Sequence, residues 1–266
     1  MKRKPGNLNL FEFENLAAIP GLIHFVTNRE GGVSIPPYDQ LNLGKHTADN
    51  PEHVNANKSL LAEATGIPLD RFLYASQVHS GDVKIIDAEA VANGVLFKNP
   101  RTDATITALP GICLMVMVAD CVPVLLFDPG KRVSAVIHAG WRGTAQHITS
   151  NTIRAMVQHF GCNPADILAG IGPSIGPCCY EVGEEVRTVV EQSFGITEGY
   201  LVYHNHYKKP HFDLWYANNK QLTDLGVNPE NIETSKLCTK CLQEIFFSSR
   251  AAGGVTGRFA AGIYMI

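Results

Sequence analysis

The segment that most directly predicts the fold of this chain is Cys113-Leu-Met-Val-Met-Val-Ala-Asp-Cys-Val-Pro-Val-Leu-Leu-Phe127. It holds two short apolar runs, 113–118 and 122–127, which are separated by Ala119-Asp-Cys121 and followed by a turn at Asp128-Pro-Gly130. Short apolar runs bounded by turn signals are typical of buried strands. Because the two runs lie so close in sequence, they favour an antiparallel or mixed component in the sheet.

The flanking sequence alternates strand and helix patterns. A third β-branched run over 133–137 leads through His138-Ala-Gly-Trp-Arg-Gly-Thr144 into an amphipathic helix expected from about Thr144 to Phe160. Further strands are expected over 22–27, 167–171 and 258–266, and further helices over 51–65, 183–194 and 214–225. This alternation predicts an α/β fold with layered mixed sheets and helices. No repeat or linker divides the chain, so we expect one domain over 1–266.

The composition limits the class of protein. Hydrophobic residues make up 45% of the 266 residues and charged residues 18%, so a sizeable core is expected. The net charge of −3 and the absence of an 18-residue apolar run argue against nucleic-acid-coating and membrane-spanning proteins. Polar and acidic residues interrupt the N-terminus where a signal peptide would be apolar. Seven cysteines, an odd number, fit reduced thiols, so we expect a cytoplasmic protein.

Three residues in separate segments could form a metal site: His79, Cys121 and His138. Each alone is compatible with a structural role. His79 lies in a polar cluster, Cys121 lies between two apolar runs, and His138 is expected at the end of a strand. Two imidazoles and one thiolate form a known catalytic zinc set, which leaves a fourth position for water or substrate. The wide spacing excludes a zinc finger.

A glycine-rich turn after His138 predicts an anion site. Gly140 and Gly143 would let the backbone approach an anion, Arg142 would bind it, and Thr144 would cap the following helix. A packed strand-to-helix turn is the alternative. The loop 172–183 after the next strand adds Tyr180 and Glu181 as candidates for hydrogen bonding or proton transfer.

Two weaker signals favour structural roles. Cys238-Thr-Lys-Cys241 is a single CxxC without a recognisable second pair, and the side chains of adjacent Cys178 and Cys179 are expected to diverge. His204-Asn-His206, with His211, is interpreted as an exposed and incidental patch.

Several motifs occur in the order of a known family. They are Gln77-Val-His79, Ala119-Asp-Cys-Val-Pro123, His138-Ala-Gly-Trp-Arg-Gly143, Gly172-Pro-Ser-Ile175 and Cys179-Tyr-Glu-Val-Gly183, with agreement at Leu41-Asn-Leu-Gly44, Thr102-Asp-Ala104, Phe247-Ser-Ser-Arg250 and Thr256-Gly-Arg258. By these motifs the chain resembles the YfiH family, also called the laccase-domain or polyphenol-oxidase family, from about Leu22 to the C-terminus. Arg250 is followed by Ala251 where relatives often carry a second arginine. This departure affects one potential anion contact and leaves the metal trio intact.

The resemblance implies a single α/β domain that binds zinc (Zn²⁺) through His79, Cys121 and His138. It implies phosphorolysis of adenosine, inosine, guanosine and S-methyl-5′-thioadenosine, deamination of adenosine, and purine nucleoside and phosphate as the partners. Catalytic candidates are Cys121, Asp120 and Glu181, and candidates for binding phosphate or substrate are Arg142, Gly140, Gly143, Asn42 and Tyr180. The oligomeric state stays open, and a monomer is compatible with the sequence.

Several alternatives remain. A bacterial relative is linked to peptidoglycan editing, which suggests a hydrolase acting on a serine-containing muropeptide precursor. A copper polyphenol oxidase needs many imidazoles in paired segments, whereas this chain has ten histidines and one His-x-His. A metal-free cysteine hydrolase would use Cys121 as nucleophile and His138 as base. In a non-catalytic binding module the metal would be structural.

Overall fold

The computed structural model describes residues 1–4, 6–203 and 208–266 and has two stacked six-stranded sheets with helices outside them. The strands are β1 (Lys2–Lys4), β2 (Leu10–Glu12), β3 (Leu22–Val26), β4 (Phe72–Tyr74), β5 (Val83–Ile85), β6 (Ala104–Thr107), β7 (Cys113–Val118), β8 (Val122–Asp128), β9 (Val133–Ala139), β10 (Leu168–Ile171), β11 (Leu201–Val202), β12 (His211–Phe212), β13 (Ile232–Thr234) and β14 (Phe259–Met265). The helices are α1 (Glu14–Ala17), α2 (Pro51–Thr65), α3 (Ala88–Ala92), α4 (Val95–Lys98), α5 (Trp141–Ala145), α6 (Ile148–Phe160), α7 (Glu184–Phe194) and α8 (Leu214–Asp224).

Both large sheets are mixed, as the sequence predicts. The first sheet has the order β1-β2-β3-β14-β7-β4 and is antiparallel except where β4 pairs with β7. The second sheet has the order β13-β10-β8-β9-β6-β5, with antiparallel pairs in its centre and a parallel pair at each edge. Strand β14 near the C-terminus pairs with β3 near the N-terminus, so distant segments share one core.

The uninterrupted apolar runs arise because both faces of each large sheet are covered. Along β8, Leu125 and Phe127 belong to the core between the sheets, whereas Val124 and Leu126 belong to the core shared with Ile153 and Met156 of α6. Successive side chains of a strand point to opposite faces, so a strand buried on both faces is apolar throughout. Helix α2 covers the outer face of the first sheet through Leu61, which completes the α/β layering.

Helix α2 has the bounds that its end signals predict. Asn50 accepts a hydrogen bond from the backbone N–H of Glu52 at 2.9 Å, Pro51 occupies the first turn, and Gly66 ends the helix at φ 71°. These are the features that favour a helix start and a left-handed stop. Within the described part of the chain, no helix combines the length and apolar character that crossing a membrane requires.

The single helix expected over 144–160 is wrong, because the structure divides this region into α5 and α6. The break occurs at His147, whose φ of 59° is left-handed and cannot continue a right-handed helix. Thr144 therefore lies inside α5 and does not cap the long helix, while Gly140 occupies the N-cap position of α5. The hydrophobic period continues across the break, which is why the sequence pattern does not reveal it.

The runs β7 and β8 belong to different sheets. The chain leaves the first sheet after Val118, crosses through Ala119-Asp-Cys121, and enters the second sheet at Val122. There β8 pairs with β9 in antiparallel register, with Pro123 opposite His138. The sequence predicts His138 as the last residue of its strand, but it is the penultimate residue of β9, which ends at Ala139. This register brings Cys121 beside the end of β9.

Candidate active site

The donor atoms of His79, Cys121 and His138 all lie within 4.8 Å of one another. His79 comes from the loop after β4, Cys121 from the crossover between the sheets, and His138 from β9. The rings of His79 and His138 meet edge to face, with centroids 4.9 Å apart. The fold therefore brings together the three residues that the sequence singles out as a possible metal site.

A buried carboxylate, Asp103, orders both histidine segments. Its Oδ1 lies 2.7 Å from Nδ1 of His138 and accepts a hydrogen bond from the backbone N–H of His79 at 3.0 Å. Its Oδ2 accepts from the backbone N–H groups of Val78 and Ser80 at 3.0 and 2.8 Å. Since Nδ1 of His138 is engaged, Nε2 is the nitrogen available to a metal, as in many carboxylate–histidine–metal sites.

The loop of His79 is tied to the first sheet by Gln77. The Gln77 side chain donates to the carbonyl of Met117 at 2.7 Å and accepts from the Met117 N–H at 2.8 Å. His79 itself has φ 60°, and Asp120, beside the cysteine, has φ 91°. Left-handed backbone at non-glycine residues is uncommon and concentrates at functional sites where the surrounding structure enforces it.

Gly140 allows the trio to assemble. A β-carbon at this position would lie 3.1 Å from Sγ of Cys121 and 3.1 Å from Cδ2 of His79. Gly143 is also closely packed, because a β-carbon there would lie 2.9 Å from the carbonyl oxygen of Ser80. Both glycines of the turn thus serve close packing around the metal trio.

The electrostatics of the trio favour a thiolate. Burial raises the pKa of the Cys121 thiol, but the charge of His138 and hydrogen bonds from both histidines outweigh it and lower that pKa. Burial likewise raises the pKa of Asp103, and hydrogen bonds from His138 and from backbone N–H groups outweigh it and lower that pKa to about 2. Both groups are therefore anionic at neutral pH, and a thiolate is the form of cysteine that binds metals.

The trio lies in the wall of a cavity of about 720 Å³, a size typical of small-molecule sites. The cations Lys45, Arg250 and Arg258 line this cavity. The side chain of Arg258 lies close against Gly44, and burial lowers the pKa of its guanidinium. Other lining residues are Leu43, Gly44, His46, Thr47, Tyr74, Ala75, Ser76, Gln77, Asn99, Met117, Ala119, Asp120, Ile175, Tyr180, Ser249, Gly253 and Gly254.

Of the catalytic candidates besides Cys121, Asp120 lines the cavity and Glu181 does not. The two carboxylate oxygens of Asp120 accept hydrogen bonds from Oγ1 of Thr239 and from the backbone N–H of Arg250, both at 2.6 Å. The Glu181 carboxylate lies 3.8 Å from Nζ of Lys209, while its backbone carbonyl accepts from Arg250 at 3.0 Å. Both residues thus help to hold Arg250.

Among the residues predicted to bind phosphate or substrate, some line the cavity and others do not. Tyr180 lines the cavity, stacks on Phe212 and lies under the guanidinium of Arg250, 5.1 Å from the ring centroid. Burial raises the pKa of its hydroxyl, which stays protonated and able to donate. Arg142 is not a lining residue: it covers Trp141 at 4.1 Å and reaches Glu185 at 3.4 Å.

Asn42 is fully buried and does not line the cavity. Its side chain accepts from the N–H groups of Gly44 and Arg258 and donates to Thr47 and Asp49. It therefore joins the loop of Lys45 to Arg258, the residue that precedes β14.

The residues that the sequence analysis missed are Asp103, Lys45 and Arg258. Asp103 and Arg258 occur in motifs that support the family resemblance, Thr102-Asp-Ala104 and Thr256-Gly-Arg258. Those motifs were the available signal for both residues. Nothing in their local spacing relates them to His138 or Cys121, because the contacts are made across the sheets.

A second cluster corrects the prediction that the CxxC stands alone and that the adjacent cysteines diverge. The sulfur atoms of Cys178, Cys179, Cys238 and Cys241 lie within 4.8 Å of one another, so the CxxC has a second pair in space. His211, expected to be exposed, is buried, and its Nδ1 lies 2.7 Å from the carbonyl oxygen of Pro177. His204 and His206 lie outside the described residues.

Comparisons with known proteins agree on one family. Residues 23–266 match the family model described as multi-copper polyphenol oxidoreductase laccase. The chain is 35% identical to a purine nucleoside phosphorylase of Bacteroides thetaiotaomicron over 254 residues, 94% of each chain. It is 37% identical to the purine nucleoside phosphorylase YfiH of Escherichia coli over 240 residues, 90% of this chain and 92% of that one. The crystal structure of YlmD from Geobacillus stearothermophilus superposes with a TM-score of 0.89 at 31% identity, covering 99% of this chain and 98% of that one.

Proposed function

We propose that this chain, which belongs to the laccase-domain family and is similar to YfiH and YlmD, is a zinc-dependent purine nucleoside phosphorylase. The proposal includes adenosine, inosine, guanosine and S-methyl-5′-thioadenosine as substrates, and adenosine deaminase activity in the same cavity. The observation that carries it is a His–Cys–His donor set opening into a 720 Å³ cavity lined by cations. Relatives of 32–37% identity named purine nucleoside phosphorylase support the same reaction class.

The residues present fit a zinc ion. Donors around one tetrahedral zinc lie about 3–4 Å apart, and those of His79, Cys121 and His138 are within 4.8 Å of each other. Asp103 leaves Nε2 of His138 available, and the set leaves a fourth position toward the cavity that all three residues line. When bound, zinc supplies Lewis acidity, which polarises an oxygen ligand and lowers its pKa.

Phosphorolysis makes defined demands on the cavity. The bond between C1′ of the ribose and the purine nitrogen breaks, a bond from C1′ to a phosphate oxygen forms, and the base leaves with the electron pair and takes up a proton. Positive charge develops on the sugar meanwhile. We assign phosphate binding to Arg258 and Lys45, because both cations line the cavity and a partly buried guanidinium binds phosphate strongly.

We assign binding of the purine base to Tyr180 and Arg250, which both line the cavity. The protonated Tyr180 hydroxyl can donate a hydrogen bond, and the cavity wall it shares with Arg250 is held by Asp120 and Glu181. In this assignment Asp120 and Glu181 position Arg250 and do not transfer protons. Holding base, sugar and phosphate in one geometry accounts for a large share of the rate of such reactions.

The described residues offer few imidazoles for a multicopper centre. Across residues 1–4, 6–203 and 208–266, two groups of possible metal donors occur, and together they contain two histidines. A blue copper with a trinuclear cluster needs many more. A single His₂Cys set also suits one copper ion, so elemental analysis of the purified protein is the measurement that separates zinc from copper.

The activity test uses adenosine and inosine, each with and without phosphate, followed by chromatography of the products. We expect free base only when phosphate is present, and inosine from adenosine in either condition. His79→Ala and Cys121→Ser should lower both activities by more than the roughly 100-fold that loss of an outer hydrogen-bond partner costs. His159→Ala, an exposed histidine, and Cys162→Ser, a cysteine outside both clusters, are the matched controls.

Three results would contradict the proposal. Unchanged nucleosides together with turnover of a serine-containing muropeptide precursor would favour the peptidoglycan-editing hydrolase. Activity that resists chelators but is abolished by thiol alkylation would favour a metal-free cysteine hydrolase. Stoichiometric copper with oxidation of phenols would favour the laccase.

A further inference from the structure

We propose that Cys178, Cys179, Cys238 and Cys241 form a second metal site, a structural zinc tetrathiolate that joins two walls of the cavity. This site is separate from the His79 trio and does not depend on the proposed phosphorylase activity. Four thiolates are a characteristic donor set of closed structural zinc sites.

The sulfur positions suit a metal better than a disulfide. Sγ of Cys241 lies 3.6 Å from Sγ of Cys178 and 3.4 Å from Sγ of Cys179, and the four sulfur atoms lie within 4.8 Å of one another. Sulfurs around a tetrahedral zinc are about 3.8 Å apart, whereas a disulfide requires about 2 Å. All seven cysteines of the chain are free in this structure.

Backbone N–H groups surround the sulfur of Cys238. The N–H of Gly176 donates to Sγ of Cys238 at 3.3 Å, and the N–H of Cys241 also hydrogen-bonds to Cys238. Hydrogen bonds from backbone N–H groups to ligating atoms are the outer contacts that orient metal ligands. The turn closed by the N–H of Cys179 on the carbonyl of Gly176, at 2.9 Å, presents the adjacent cysteines to the CxxC.

The two loops that meet at the cluster also build the cavity. Tyr180 directly follows Cys179, and Thr239, which donates to Asp120, directly follows Cys238. Backbone contacts between the two loops include the bridge of Ser174 with Cys238 and its neighbouring hydrogen bonds, which lie on one side of the cluster's sequence segments and involve neither Cys178 nor Cys179. A zinc ion bound by both loops would therefore fix Tyr180 relative to Asp120 and Arg250.

The test measures zinc in protein purified without chelating resins. Wild type should hold two zinc ions per chain, His79→Ala one, and Cys238→Ser/Cys241→Ser one. Cys162→Ser is the matched control and should keep two. Replacement of the remaining zinc of His79→Ala with cobalt should give the intense sulfur-to-metal absorption of four thiolates, which a His₂Cys site cannot reach.

A second readout locates the effect. Loss of the cluster should speed amide hydrogen exchange in 174–181 and 235–242 while leaving exchange in β7 and β14 unchanged. If the double variant does not fold, the number of zinc ions per chain in wild type and in His79→Ala still shows whether the four-cysteine cluster binds zinc. If the His79 trio binds no zinc, wild type should hold one ion and the double variant none, while His79→Ala should still hold the one ion of the cluster. Zinc-free His79→Ala would overturn the proposal, as would a wild-type mass two hydrogens lower with a mapped disulfide inside the cluster.

Discussion

Asp103 is a fully buried carboxylate that contacts the segments of both histidines of the metal trio. Asp103→Asn retains one oxygen acceptor but replaces the other with a donor that faces N–H groups. We expect zinc affinity at the trio to fall about 10–100-fold, the usual cost of losing an outer partner. Competition with a zinc chelator measures this. Asp128→Asn, at a buried carboxylate in β8 away from the trio, should leave the affinity unchanged.

The lowered pKa of Asp103 also predicts a pH dependence of stability. Its pKa is about 2 in the fold against 3.8 ordinarily, so ionised Asp103 stabilises the metal-free protein by about 2 kcal/mol. This contribution is complete above the ordinary pKa and is lost as the pH falls from about 4 to about 2. The difference in free energy of unfolding between wild type and Asp103→Asn should shrink over that range. Urea titrations at pH 5 and pH 3 test this, and a constant difference would contradict it.

Gly140 has a packing role that one methyl group tests. The β-carbon of Gly140→Ala would crowd Sγ of Cys121 and Cδ2 of His79 at 3.1 Å, so two of the proposed zinc ligands must shift. We expect zinc affinity to fall about tenfold or more, because metal sites tolerate only small changes in ligand distance. Gly183→Ala, where a β-carbon meets nothing within 4 Å, is the matched control. Equal zinc affinity in both variants would count against the packing role.

At the scale of elements, α8 holds the junction of α5 and α6. Asn218 donates to Oγ1 of Thr144 at 3.2 Å and accepts from Oγ1 of Thr149 at 2.7 Å, and Gln221 donates to the carbonyl of Thr144 at 2.9 Å. These groups are buried. Side chains from a neighbouring helix thus satisfy polar groups where the left-handed His147 interrupts the helix.

The hydrogen bonds of Asn218 and Gln221 with Thr144 and Thr149, which we call the α8 latch, predict an effect on the free energy of unfolding. Asn218→Ala leaves buried partners without hydrogen bonds, so the free energy of unfolding should fall by about 2 kcal/mol. Asn219→Ala, at the adjacent and less buried asparagine, should change it by less than about 0.5 kcal/mol. Chemical denaturation of both variants is the measurement. Similar losses in the two variants would show that the loss of an asparagine from α8, and not the α8 latch, is responsible.

At the scale of the whole molecule, bound metal should stabilise the fold. A ligand that binds only the folded state at a thousand times its Kd adds about 4 kcal/mol, and for a chain of this size that corresponds to roughly 10 °C in Tm. We expect chelation to lower the Tm by this order and zinc to restore it. Magnesium, which prefers oxygen ligands, should not restore it. An unchanged Tm after verified zinc removal would contradict the expectation.

Local sequence patterns predicted the long apolar strands, the long helices, the end signals of α2 and the three residues of the candidate metal site. These follow from local patterns: apolar period, capping residues and the chemistry of imidazole and thiolate. The alternation of strand and helix patterns predicted the α/β layering, and the resemblance to the family implied the same fold class. The helix over 144–160 was wrong, because one left-handed residue interrupts a hydrophobic period that continues on both sides.

The contacts between polar groups that are distant in sequence become visible in the folded chain alone. Asp103 reaches His138 across 35 positions, and the Cys178 pair reaches the CxxC across about 60. The tertiary structure also showed Arg258 and Lys45, and not Arg142, in the cavity wall. The physical reason is that strand order and the crossing of the chain between two sheets set these neighbours. Local spacing along the chain does not reveal which strands distant in sequence become adjacent.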